Sequence, residues 1–376
     1  MTMAATMEKR ADTIARFLVT TDWAGADQRP LSGDASTRRY MRLVKNGSSA
    51  LLMDAPPKAE SAACPPDAGE AERLKLGYNA VARLAGPDSR RFAAFAETLI
   101  SLGLRAPRIY AADFGEGLLV IEDLGDDLFA RAIEGGAREL PLYEAAIDVL
   151  GALHAAPAPR ALGRNATEVA LLAYDRLAYK AEVDLAIEWL FPLLEGRPLP
   201  ADARAEWDAH WGAALARLSE VSRVIVLRDY HAENLFWLPE DRGLARVGLI
   251  DFQDGLKGSP AYDLVSLVED ARRDVSPTLA DAMIARYIAA ARARDGRFDA
   301  DAFRAEAALL GAQRNSKILG IFARLWKRDG KPGYLKLLPR VWRYVERDLR
   351  NPQLAELRRW FDTHFSADLR TAPEAR

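Results

Sequence analysis

The chain has 376 residues, enough for two domains or one two-lobed enzyme, and its 49% hydrophobic and 28% charged composition excludes a disordered chain. A balance of 52 Lys+Arg against 54 Asp+Glu, net −2, lacks the basic excess of a general nucleic-acid binder. The one cysteine, Cys64, excludes an internal disulfide or a Cys-rich zinc site and points to a reducing, cytoplasmic compartment; no run approaches the roughly 18 apolar residues of a membrane helix.

Residues 1–20 alternate charged and apolar positions without the apolar stretch of a secretory signal. They read as an amphipathic helix that turns Ile14, Phe17 and Leu18 inward. A small-residue loop, Gly33-Asp34-Ala35-Ser36-Thr37-Arg38-Arg39, precedes strands predicted over 40–44 and 50–54. Asn46-Gly47 between them suits a tight hairpin, because both residues tolerate positive φ. Residues 55–69, rich in Pro and Ala, read as a mobile loop. Helices are predicted over 70–85 and 89–102. A short apolar strand over 118–122 then runs into Glu122-Asp123-Leu124-Gly125, which has the character of a hinge.

From 126 onward, apolar residues recur at three- and four-residue spacing and predict helices over 141–155, 181–194, 203–219, 261–274, 279–294, 301–324 and 334–349. Strands over 224–227, 234–238 and 245–250 interrupt them, the last two joined by a turn at 239–243. This is an α+β order rather than βαβ alternation. It predicts a β-containing lobe over 1–125 and a helical lobe over 126–376.

The chemistry concentrates in Arg228-Asp229-Tyr230-His231-Ala232-Glu233-Asn234 and in Leu249-Ile250-Asp251-Phe252. An Asp after a strand, an Asn five residues on and an Asp ending the next hairpin have the spacing of a kinase catalytic loop and its second metal acid. In that reading Asp229 accepts the proton of a substrate hydroxyl, while Asn234 and Asp251 offer hard oxygen ligands to Mg²⁺ beside ATP. No His/Cys/Asp group has zinc spacing. His154, His210 and His231 read as packing, surface or loop-supporting residues, and Trp207 and Trp211 as core.

Leu227–Asn234, Ile250-Asp251-Phe252-Gln253 and Pro260-Ala261-Tyr262-Asp263-Leu264 resemble the aminoglycoside phosphotransferase and choline kinase superfamily. That resemblance implies a protein-kinase-like fold of two lobes. A narrower resemblance, to bacterial anomeric kinases of N-acetylmuramate and N-acetylglucosamine, is carried by Gly33–Tyr40, Leu52-Met53-Asp54-Ala55-Pro56-Pro57 and Glu122–Asp126. Asp251-Phe252-Gln253-Asp254 and the run Gln313–Leu325 extend it. It implies ATP-dependent phosphorylation of a small sugar in cell-wall recycling. A kinase for another alcohol, such as an aminoglycoside or choline-like amine, and a nucleotide-binding pseudokinase are the alternatives.

The superfamily pattern departs here in two places. Leu227 stands where a His is frequent, and the strand 50–54 has no lysine for the α- and β-phosphates, with Met53 near that position. Arg39, Arg42 and Lys58 are the candidate cations, with Arg39 or Arg42 preferred. Gly33, Ser36 and Thr37 are expected over the nucleotide, and Glu122 and Leu124 at the hinge, through backbone groups facing adenine. With no lysine on the strand 50–54, no partner glutamate is assigned, Glu97 being a guess only.

Residues 311–350 carry eleven Lys/Arg against three Asp/Glu, a field that repels a polycationic acceptor and suits a neutral or carboxylate-bearing sugar. Arg314, Asn315 and Lys317 are the expected acceptor-binding residues.

Overall fold

A computed structural model describes residues 3–31, 38–57, 63–218 and 223–371. The expected nucleotide-loop residues Gly33, Ser36 and Thr37, and Lys58, lie outside these. The chain divides into two compact units, described in turn.

The first unit comprises Met1–Asp127 and two later segments, Pro159–Leu171 and Phe236–Asp254. A cut at 125 therefore does not trace its border: Asp251 belongs to this unit although it lies far along the chain. The unit is built on an antiparallel sheet of β1 (Asp27–Pro30), β2 (Arg39–Lys45), β3 (Ser48–Asp54), β4 (Ile109–Asp113) and β5 (Leu118–Glu122), in the order β1-β2-β3-β5-β4. Lys45 pairs with Ser48, so Asn46-Gly47 is a two-residue turn, with φ of 52° and 79°. The sequence had shown neither β1 nor β4. Asp-Gln-Arg-Pro at β1 is exposed throughout and has no apolar alternation to reveal it.

The helix α1 (Met3–Val19) buries Ile14, Phe17 and Leu18 against Leu43, Ala50, Leu52 and Val120, as its periodicity predicted. Side chains alternate along a strand, so this packing fixes which residues of β2 and β3 face α1. Leu43 faces it, and so do Met41 and Arg39; Tyr40 and Arg42 lie on the opposite side with Met53, which pairs with Tyr40. The helix predicted over 70–85 is broken. Glu70–Leu76 ends at Gly77, where φ is 91°, and a π-helical turn over Asn79–Arg83 ends at Leu84 with φ 64°.

The second unit comprises Leu128–Ala158, Leu172–Leu235 and Gly255–Arg376. Its spine is Ala300–Asp329, a helix of 30 residues closed by left-handed Gly330. Gly320 lets this helix approach Leu185, since a Cβ there would lie 2.3 Å from the Leu185 carbonyl carbon. The helix expected over 181–194 is Arg176–Leu185, then a π-helical turn Ala186–Leu190, then Phe191–Glu195. The helix expected over 261–274 stops at Val268. Trp207 and Trp211 are fully buried, with Trp360 and Phe361 packed on Trp207 from a terminal helix, Ala355–His364, absent from the sequence reading.

Candidate active site

In the second unit, Val224–Val226 delivers the chain to Leu227 and Arg228. The Asp229 N–H donates to the Leu227 carbonyl at 2.9 Å, closing a γ-turn about Arg228, whose φ is +71°. A non-glycine residue held there stores strain and needs support from its surroundings. Two buried carboxyl groups give it, that of Asp263 with its pKa raised by burial to about 7. Asp263, beside the start of the helix Ala261–Val268, accepts the Leu227 and Arg228 N–H groups at 2.7 and 2.8 Å. Glu182 pairs with the Arg228 guanidinium, which also lies 4.8 Å from the Tyr174 ring centre. The loop beyond is tied internally: Asn234 Nδ2 donates to the Asp229 carbonyl at 2.9 Å, and the Asn234 N–H to His231 at 2.8 Å.

Glu182, which the sequence reading had not singled out, joins several elements. Besides Arg228 it receives Tyr174 Oη, Gln313 Nε2 at 3.1 Å and Lys317 Nζ at 2.8 Å. Burial pushes its pKa up, but Lys317 and Arg228 outweigh that and hold it ionised, below the usual carboxylate range. The Asp229 carboxyl is treated alike. Burial raises it, and the positive field of Lys317, His231, Arg228 and Arg314 brings it below its ordinary value. Asp229 is thus a carboxylate at neutral pH, the form a general base requires.

The expected acceptor segment divides by helix face. Arg314 is 5% exposed, and its Nη1 is buried with no hydrogen-bond partner, a donor that an anionic group would satisfy. Lys317 is held by Glu182. Asn315 turns away and is fully buried, with Nδ2 donating to Glu269 at 2.5 Å and to Asp348 at 3.4 Å. Its Nδ2 is an interior tie, while its Oδ1 is buried with no hydrogen-bond partner. Residues one apart on a helix point roughly 100° apart, and the run 313–317 is polar because it faces two buried acidic groups.

In the first unit, Asp251 follows the strand Val247–Leu249 with φ +57°, a second non-glycine residue in the left-handed region. Its carboxylate is 45% exposed, accepts Gln253 Nε2 at 2.8 Å and lies 3.5 Å from Arg38 Nη1. Phe252 beside it is fully buried, with ring centres 5.0 Å from Phe92 and 6.1 Å from Phe95. Arg83 pairs with Asp254 at 2.8 Å.

Of the candidate phosphate cations, Arg39 and Arg42 lie among the described residues. Arg39 is exposed, on the sheet side that faces α1. Arg42 shares the side of Met53 but is bound to Asp123 at 2.7 Å, Asp126 at 2.9 Å and the Gly125 carbonyl at 3.3 Å. Glu97 accepts the Thr167 hydroxyl at 2.6 Å. At the hinge, Glu122 holds Arg105 bidentately at 2.7 and 2.8 Å; burial raises its pKa, and Arg105 more than offsets this. Leu124 is buried on Gly248, where a Cβ would come within 3.0 Å of it. These hinge side chains are committed to packing and ion pairing.

Among the described residues no group of three or more His, Cys, Asp or Glu converges as a metal cage. The donor types present, the half-exposed carboxylate of Asp251 and the oriented amide of Asn234, are hard oxygen ligands of the kind Mg²⁺ accepts while keeping several waters.

A mixed antiparallel and helical fold with a strained, carboxylate-braced Asp229 loop defines a kinase-like phosphotransferase. The phosphotransferase enzyme family model matches residues 27–298, and the chain belongs to that family. It is 48% identical over 95% of its length, and 97% of the relative's, to an N-acetylmuramate/N-acetylglucosamine kinase of Caulobacter vibrioides. A kinase of the same name from Pseudomonas aeruginosa is 33% identical over 88% of this chain and 87% of its own. In fold, the ADP-bound aminoglycoside phosphotransferase APH(2'')-Ib is similar at a TM-score of 0.52 and 12% identity, over 90% of this chain and 96% of that one.

Proposed function

We propose that this enzyme transfers the γ-phosphoryl group of ATP to the anomeric hydroxyl of N-acetylmuramate or N-acetylglucosamine, in the cytoplasm, as part of cell-wall recycling. The observation that carries the reading is the Asp229 loop held by Asp263 and Glu182, in a chain 48% identical to a kinase named for these two sugars. Asp229 takes the proton of the sugar hydroxyl. Asn234 and Asp251 supply the oxygen ligands for Mg²⁺, which when bound neutralises phosphate charge. Arg314, with its unpartnered donor, suits the lactyl carboxylate of N-acetylmuramate. The positive field around Asp229 disfavours a polycationic acceptor.

The test is to incubate the purified protein with ATP, Mg²⁺ and each of four acceptors: the two amino sugars, kanamycin and choline. Phosphorus NMR of the product identifies the esterified position. Formation of the sugar 1-phosphates is expected. Turnover on kanamycin or choline alone would refute the acceptor and keep the kinase.

A further inference from the structure

Three observations about β2 and β3 belong together. β3, Ser48–Asp54, carries no lysine. The sheet side that presents Met53 also presents Tyr40 and Arg42, because Tyr40 pairs with Met53 and alternate residues share a side, and Arg38 immediately precedes the strand. Of the two arginines, Arg42 is bound by Asp123, Asp126 and the Gly125 carbonyl, whereas Arg38 reaches the carboxylate of Asp251 at 3.5 Å. Arg38 and Met53 also line one small cavity together with Arg83 and Gln253.

We propose that Arg38 is the cation that meets the phosphates of the bound nucleoside triphosphate, taking the part that a third-strand lysine plays in other kinases. The proposal rests on the kinase reading above and deepens its nucleotide site. The contact with Asp251 already shows that the guanidinium reaches an anionic oxygen in this place. A planar guanidinium has donors for two phosphate oxygens at once, and such charge-assisted pairs are among the stronger hydrogen bonds. Arg83 is bound to Asp254 at 2.8 Å, and Arg38 lies beside Asp251, the carboxylate expected to take up Mg²⁺. A divalent cation on Asp251 would release Arg38 to the phosphates that arrive with it.

Binding of a non-hydrolysable ATP analogue and of adenosine, measured by titration calorimetry in EDTA and in Mg²⁺, tests this without relying on turnover. Arg38→Met is expected to weaken the analogue about tenfold or more, with adenosine changed by less than about twofold. Arg38→Lys, which keeps the charge, should recover most of the loss. Unchanged analogue affinity in Arg38→Met overturns the proposal. So does an equal loss for adenosine, which would make Arg38 a wall of the pocket, and so does a loss in Arg39→Met in place of Arg38→Met. If the wild-type protein binds neither probe, the kinase reading itself fails.

Discussion

The backbone N–H of Arg228 donates to the Asp263 carboxylate at 2.8 Å, across 35 positions of sequence. This bond and its companion from Leu227 at 2.7 Å hold the residue before Asp229 at φ +71°. Asp263→Asn offers one acceptor and one NH₂ to two N–H donors, leaving one orphaned at a cost of roughly 1–3 kcal/mol. The expected outcome is a lower melting temperature and a fall in kcat of more than about tenfold as the loop relaxes. Circular dichroism melts and steady-state turnover check the two parts.

Asp229→Asn removes the base while preserving shape. We expect kcat to fall roughly 10²–10⁴-fold while the folded circular dichroism spectrum is retained. Near-normal kcat would take Asp229 out of the proton transfer.

Arg314 and Asn315 are adjacent but should behave differently. Arg314→Met is predicted to raise KM for N-acetylmuramate about tenfold, the worth of roughly 1.4 kcal/mol, and to leave KM for N-acetylglucosamine nearly unchanged. Asn315→Ala should lower the melting temperature and move both KM values together, because its amide serves Glu269 and Asp348. Sugar-dependent kinetics of the two variants decide the matter. An equal rise for both sugars in Arg314→Met would place its contact on the shared ring.

Asp348 gives a pH signature. It is buried beside Glu269, and burial first, then that second carboxyl, push its pKa well above the ordinary carboxylate range. An acid whose folded pKa is raised contributes stability fully present below its unfolded value and lost as pH rises through the folded value. Asp348→Asn, which mimics the protonated acid, should therefore gain stability over wild type with rising pH above the ordinary carboxylate range. Melting curves between about pH 4 and 8 test this; a constant difference would remove Asp348 as the source.

What could be read from the sequence was what local spacing encodes. Asn46-Gly47 specified a two-residue turn because the hairpin needs positive φ twice, and both residues adopt it, at 52° and 79°. The apolar period placed Ile14, Phe17 and Leu18 inward. The order Asp229, Asn234, Asp251 was legible because the three residues fall in one loop and the hairpin after it, a short stretch of chain with a recognisable spacing. Choices among neighbours required tertiary structure. Arg39 lies on the sheet side away from Met53 because sheet register has a period of two, whereas Arg38, just before the strand, lines a cavity with Met53. Asn315 is interior while Arg314 keeps an unpartnered donor because packing of the long helix against Glu269 and Asp348 set its rotation. Glu182 and Asp263, which hold Arg228 from 46 and 35 positions away, carry no local signature. A buried carboxylate is stable only where folding brings cations and N–H groups to it, and those partners come from distant parts of the chain.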